Sequence, residues 1–326
     1  MDQEIRFCKT RDAVTIAFSS VGDGPPFVKT ANWMNHLELD WHSPVWRHLV
    51  EEFAKDHRFL RYDERGTGLS DRQISELSLD RFVDDLESVV AAAGIDRFPL
   101  FGISQGGPVA IEYAVRHPAK VTHLILLGTF ATGWKRLPDL PTAARQKREA
   151  ELTLIRQGWG NANPAFRQFW TTLCIPEATA EEAASFNELQ RSSASSETAA
   201  RIFEAIGDID VSHLLPQLDV PVLVLHATGD AVVSFNDGRH VAAGIKGAKF
   251  VSLESRNHLL LSHEPAWQNF VHEVRKFIGR KSPQAVSNIC PTCLTNYGPE
   301  MSFCLDDGTQ LQPSVGDTPT ILLHRP

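Results

Sequence analysis

Phe98-Pro-Leu-Phe-Gly102-Ile-Ser104-Gln-Gly106-Gly107 is the stretch on which the reading of this chain turns. An apolar run stops at Gly-x-Ser-x-Gly, and a helix-like segment follows over 108–117. Strand, tight turn and helix in that order hold a serine hydroxyl out on a strained backbone, where it can act as a nucleophile. Gly102 and Gly106 stand two residues either side of Ser104, where a Cβ would collide across so tight a turn. The pentapeptide alone also arises by chance, so its meaning depends on the flanking sequence.

Working outward, short β-like runs alternate with helical patterns. Residues 5–9 and 14–19 read as a hairpin turning at Arg11-Asp12, and 26–30 and 59–62 read as further strands around a helical segment at 46–54. Over 79–93, Phe82, Val83, Leu86, Val89 and Val90 share one helical face, with Ser78 placed to cap its start and Gly94 its end. The unbroken apolar run 121–127 suits a strand covered on both faces. This alternation predicts an α/β fold with a mostly parallel sheet and helices on both sides. From about 133 to 215 the strand signal disappears into helical, aromatic-rich sequence, and the sheet resumes at 220–225 and 249–253 before an amphipathic helix over 265–278. A helical insertion between strands of a parallel sheet predicts a cap over the edge where such sheets bind ligands.

A serine hydroxyl needs a base near neutral pH, and the base needs an orienting acid. Asp230 follows the strand at 220–225 in His226-Ala-Thr-Gly229-Asp230, and His258 follows the strand at 249–253 in Asn257-His258. With these residues in the order Ser104, Asp230, His258, the chain over 5–278 resembles the α/β-hydrolase superfamily. Asp63-Glu-Arg65-Gly66-Thr-Gly68-Leu-Ser70 is similar to the Asp-x-Arg-Gly-x-Gly-x-Ser loop that follows the fourth strand in many members. The segment from Ala31 through Trp46 looks like a bacterial subgroup whose hydrolase domain occurs beside signalling modules.

The resemblance implies Ser104 as nucleophile, His258 as base and Asp230 as orienting acid, in a carboxylesterase-type enzyme that needs no cofactor for catalysis and takes a small ester. The same triad elsewhere cleaves lactones, thioesters and carbon–carbon bonds, and a slow-turnover ligand sensor is the alternative from another class. Where most members carry His-Gly-x after the third strand, this chain has Ala31-Asn32-Trp33. The oxyanion donors implied are the amides of Trp33, with Met34 one residue away as the other register, and of Gln105 at a helix start. Asn32 either stiffens this loop or adds a side-chain donor.

Plainer roles stand beside these. His226, His36, His42 and His263 read as structural or surface residues, and Asp63 and Arg65 as a turn with internal ion pairing. Trp134, Trp159, Phe169 and Trp170 are the candidates for lining an apolar substrate cleft, with cap core as the plain alternative.

Near the C-terminus Cys290-Pro-Thr-Cys293 is followed after ten residues by Cys304-Leu-Asp-Asp307-Gly308. This resembles a short zinc ribbon, with Cys290, Cys293, Cys304 and Asp307 as ligands of a structural zinc; a ribbon without metal is the alternative. Cys8 and Cys174 read as buried spectators. The expected organisation is a hydrolase domain over 1–280, a linker at 281–288, a ribbon-like module at 289–312 that docks a protein partner or a second copy, and a tail at 313–326.

Composition bounds the rest. A net charge of −8 with no basic segment argues against nucleic-acid binding. No apolar run approaches the roughly 20 residues that span a bilayer, so no membrane partner is expected. An acidic start, Met1-Asp2-Gln3-Glu4, differs from a secretory leader, and the expected location is cytoplasmic.

Overall fold

Eight strands form in turn: β1 (Glu4–Lys9), β2 (Thr15–Val21), β3 (Pro26–Lys29), β4 (Arg58–Tyr62), β5 (Phe98–Ile103), β6 (Val121–Leu127), β7 (Val222–Ala227) and β8 (Lys249–Leu253). They lie side by side in the order β1-β2-β4-β3-β5-β6-β7-β8. The pairings of β1 with β2 and of β2 with β4 are antiparallel, and every later one is parallel. The computed structural model describes residues 2–279, 288–297 and 301–313, in two compact units that part after Ile278.

The central strands are buried along almost their whole length, as their continuous apolar runs require. Among the described residues ten helices accompany them: α1 (Leu37–His42), α2 (Arg47–Ala54), α3 (Leu79–Ala92), α4 (Gly106–Arg116), α5 (Thr142–Gly158), α6 (Ala165–Cys174), α7 (Ala180–Ser193), α8 (Ser196–Gly207), α9 (Phe235–Gly244) and α10 (Pro265–Ile278). Two apolar cores result. In one, Phe53 of α2 and Phe270 of α10 pack edge-on at 6.1 Å, and both rings meet Phe101 of β5. In the other, Phe82, Val83, Leu86, Val89 and Val90 of α3 pack with Val109 and Ile111 of α4. Ser78 caps α3 by accepting from the Arg81 amide, and Gly94 ends it at φ +64°.

Two local expectations are corrected. Helix α4 starts at Gly106 rather than at Pro108, which falls in its first turn, where its missing N–H is not needed. Asp63 and Arg65 do not pair with each other. Arg65 is clamped by Asp85 of α3 at 2.7 Å and by Asp12 of the β1–β2 turn at 2.9 Å, whereas Asp63 accepts from Asn35 Nδ2 at 2.7 Å and the Leu69 amide at 2.7 Å. A buried guanidinium needs more than one acceptor, and α3 and the hairpin turn supply them.

Helices α5–α8 and a 3-10 turn at Ser212–Gln217 occupy the connection between β6 and β7. The insertion is closed at its root by backbone bonds from Gly133 to Ile209 (2.7 Å), Lys135 to Gly207 (2.9 Å) and Val211 to Ala131 (2.8 Å). The Thr179–Glu182 capping box starts α7.

The second unit contains three two-residue strands, β9 (Asn288–Ile289), β10 (Asn296–Tyr297) and β11 (Gln312–Pro313), in the antiparallel order β10-β9-β11. Asn288, assigned to the linker from sequence, opens β9; the rest of that linker and the tail from 314 onward lie outside the described residues. Among the described residues, no helix is long and apolar enough to cross a membrane.

Candidate active site

Four neighbouring strands, β5, β6, β7 and β8, deliver the site at their C-terminal ends. Ser104 follows β5 at φ +53°, a left-handed position that costs a non-glycine residue about 1 kcal/mol or more. Its main chain is pinned: the amide donates to Leu127 O at 3.0 Å, and its carbonyl accepts from Thr129 Oγ1 at 2.7 Å and the Gly107 amide at 3.0 Å. A Cβ on Gly102 would lie 2.7 Å from Gly106 O, and one on Gly106 would lie 2.5 Å from Ala31 O. The turn is therefore closed against α4 and against the loop after β3, and both glycines are required by backbone contact.

After β7, Asp230 Oδ1 accepts from the amides of Val232 (2.8 Å) and Val233 (3.0 Å), which leaves Oδ2 to meet His258 Nδ1 at 2.6 Å. Burial would raise this carboxyl, but the facing His258 ring and the amide bonds outweigh it and hold Asp230 below the usual carboxylate range. His258 follows β8, and its own amide donates to Cys174 O at 2.8 Å. Both partners pack on Gly128, just past β6: a Cβ there would sit 3.2 Å from His258 Nδ1 and 3.4 Å from Asp230 Oδ2. Gly128 directly follows Leu127, the residue that receives the Ser104 amide, so one turn of chain braces the serine and the His–Asp pair.

Three other histidines make contacts with neighbouring loops and helices. His226 Nε2 lies 3.0 Å from Val233 O and 3.6 Å from Asp230 Oδ2, and burial lowers its pKa, so it donates to the carbonyl and braces the acid loop. His36 caps α1, and His263 lies 3.3 Å from Glu182.

In the loop after β3, Asn32 Oδ1 accepts from Lys29 Nζ at 2.5 Å and its Nδ2 donates to Trp33 O at 3.1 Å. The carboxamide thus ties the end of β3 to the loop and stiffens it, with one of its two N–H donors committed to Trp33 O. Trp33 stacks on Trp159 at 5.3 Å and meets Trp170 edge-on at 5.1 Å. Met34 takes φ +66° and is buried.

A cavity of about 130 Å³ opens above Ser104. Trp33 and Gln105 border it beside Ser104; Met34 does not. Trp134 and Trp170 line it, and Phe203 and Arg148 of the cap do as well. Trp159 and Phe169 do not: Trp159 backs Trp33, and Phe169 packs edge-on against Trp170 at 5.5 Å. Helical spacing marks which residues share a face but not which face a cap helix turns toward the sheet, so Phe203 could not be separated from its neighbours.

Sequence reading also passed over Glu64, the unspecified second residue of the Asp-x-Arg-Gly loop. It is buried and accepts from Gln105 Nε2.

In the second unit the ligand atoms of Cys290, Cys293, Cys304 and Asp307 lie within 4.8 Å of one another. Cys293 Sγ is 3.6 Å from Cys304 Sγ, and Cys290 Sγ is 3.6 Å from Asp307 Oδ2. Zn–S bonds of about 2.3 Å give a tetrahedral edge of about 3.8 Å, so the donors stand at metal-ligand spacing. The amides of Thr292 and Cys293 both donate to Cys290 Sγ at 3.4 Å.

Residues 39–265 match the family model described as alpha/beta hydrolase fold. The AB hydrolase superfamily protein YisY of Bacillus subtilis (strain 168) is 27% identical over 268 residues, covering 77% of this chain and 91% of that one. Esterase RhEst1 from Rhodococcus sp. ECU1013 superimposes with a TM-score of 0.68 at 26% identity over 85% of this chain and 99% of that one. The esterase EaEST from Exiguobacterium antarcticum shares the fold, with a TM-score of 0.73 at 22% identity over 84% and 99%. With its sheet order, its serine turn and a family match over well more than half its length, this chain belongs to the alpha/beta hydrolase fold family.

Proposed function

We propose that this protein is a serine hydrolase that cleaves carboxylic esters through an acyl-enzyme. The observation that carries the reading is the 2.6 Å His258–Asp230 pair braced through Gly128 beside the Ser104 turn. With its Nδ1–H committed to Asp230, the His258 ring leaves Nε2 free to accept a proton. His258 takes the Ser104 proton as Oγ attacks the ester carbonyl, and Asp230 stabilises the imidazolium that forms. The amides of Trp33 and Gln105 receive the tetrahedral oxyanion. The proton passes from His258 to the departing alcohol, leaving an acyl-Ser104, and His258 then activates water to release the acid.

The cavity wall of Trp33, Trp134, Trp170 and Phe203 supports an apolar acyl or alcohol group. A p-nitrophenyl ester series from acetyl to palmitoyl tests this. Each methylene that gains wall contact adds up to about 0.8 kcal/mol, so kcat/KM rises by up to about fourfold per carbon and then falls once the cavity is filled. A single slow burst that leaves a stable adduct would replace the esterase reading with the sensor reading.

The Cys290–Cys293–Cys304–Asp307 cluster fits a structural zinc, with Tyr297 Oη at 3.1 Å from Cys304 Sγ as an outer support. Zinc would fold the module and supply nothing to the ester chemistry. About one zinc per chain is expected after purification without added metal. Cys293→Ser should lower that content severalfold and remove hydrogen-exchange protection around β9. Unchanged protection and no zinc in the wild type would leave a metal-free ribbon.

A further inference from the structure

Behind the oxyanion loop lies a carboxyl that the triad does not use. Glu64 and Gln105 are 2% and 1% exposed, and Gln105 Nε2 donates to Glu64 Oε1. The other two oxygens of the pair, Glu64 Oε2 and Gln105 Oε1, are both buried and have no hydrogen-bond partner among the described residues. Among the described residues no cation forms an ion pair with the carboxyl. The Arg65 guanidinium is spent on Asp12 and Asp85, and the Lys29 ammonium on Thr30 O and Asn32. An ionised carboxylate here would be a buried charge whose hydrogen-bond partner is a neutral amide, the free end of which is another acceptor.

One proton satisfies both orphaned oxygens. We propose that Glu64 is held as a neutral carboxylic acid, accepting from Gln105 Nε2 and donating from Oε2 to Gln105 Oε1, and that this acid–amide pair positions the oxyanion donor next to Ser104. This rests on the reading of the Gln105 amide as an oxyanion donor.

The surroundings agree. Burial pushes Glu64 up to about 8, and Asp85 of α3 pushes the same way, while the Gln105 bond, Arg65 and Lys29 oppose. The main chain of Glu64 is fixed separately: its amide meets Asn35 Oδ1 at 3.4 Å and its carbonyl accepts from Thr67 Oγ1 at 2.8 Å. Only the carboxyl changes on titration. Above about pH 8 the proton leaves, Oε2 repels Gln105 Oε1, and a negative charge appears behind the site where the oxyanion must form. A carboxyl with a raised native pKa supplies stability at low pH that is lost as pH rises through that value, so the pair loosens on the alkaline side.

The experiment combines infrared titration with kinetics on the full chain. Glu64→Leu should lower kcat by about tenfold or more with KM little changed, and Glu64→Gln, which keeps one donor and one acceptor, should rescue it near neutrality. Wild-type kcat should fall above about pH 8, and Glu64→Gln should lose that fall. At neutral pH the wild-type minus Glu64→Gln infrared difference should contain the carbonyl band of a protonated carboxylic acid, which disappears on raising the pH. The subtraction removes the bands of Asp40, Asp63 and Asp85, whose pKa values are also raised. A difference spectrum without that band, or an alkaline fall that persists in Glu64→Gln, overturns the proposal. A wild type that shows the band but turns over no ester overturns the esterase reading instead, and the acid–amide pair stands.

Discussion

Replacing Ser104 by alanine is expected to reduce ester kcat/KM by about 10⁴-fold or more while leaving the protein folded. The size follows from the proposed chemistry: without Oγ no acyl-enzyme forms, and only donors and binding remain to help water attack. The fold survives because Ser104 is pinned by main-chain groups, through Leu127 O, Thr129 Oγ1 and the Gly107 amide. Alanine keeps φ +53° at a similar cost to serine, so the two melt within about 0.5 kcal/mol of each other. Ser104→Gly should melt higher, because glycine takes a left-handed position without that cost. The check is steady-state hydrolysis of a p-nitrophenyl ester alongside thermal melts of the three proteins. Turnover in Ser104→Ala near the wild-type rate, with the melt unchanged, would remove Ser104 from the mechanism.

Asp230→Asn should lower kcat by about 10⁴-fold with KM within a few-fold. In the wild type, Oδ1 is fixed by the Val232 and Val233 amides, so an asparagine that keeps those two bonds must turn its NH₂ toward His258. That NH₂ donates to Nδ1 and drives the ring proton to Nε2, the atom that should accept from Ser104. The ring is then in the wrong tautomer in an otherwise native site. Stability changes in a predictable direction as well. Asp230 lies below its ordinary value in the native protein, so it contributes stability at pH above the unfolded carboxylate value and loses it as pH falls through the native one. Asp230→Asn should therefore flatten the acid side of the unfolding profile. Combined with Ser104→Ala it should cost little more than Ser104→Ala alone, because the two act in one step. Additive losses would indicate that Asp230 works independently of the serine.

Much of this was legible because it is local. A strand ending in Gly-x-Ser-x-Gly, a run of apolar residues at 121–127 and helical spacing at 79–93 each express a backbone period or a turn requirement within a few residues. Asp230 and His258 were legible for a related reason: each follows a recognisable strand, and strands of a parallel sheet all end on one side. Glu64 was not, because its meaning depends on Gln105, and nothing in the spacing of two residues 41 apart brings them together. Arg65 misled for the same reason, since its partners Asp12 and Asp85 come from a turn and a helix distant in the chain.

The sequence by itself determined the strands, the order of the serine, aspartate and histidine that we propose as a triad, and the existence of a helical insertion, because these follow from periodicity, turn chemistry and chain order. Only the tertiary structure decided that Asn32 bridges Lys29 and Trp33 O. It also turned Phe203 and Trp170 into the cavity while Trp159 packs behind, and it buried the Glu64 carboxyl against the Gln105 amide. Those are questions of which groups face one another after packing, and a side chain's charge state and exposure are properties of its neighbours.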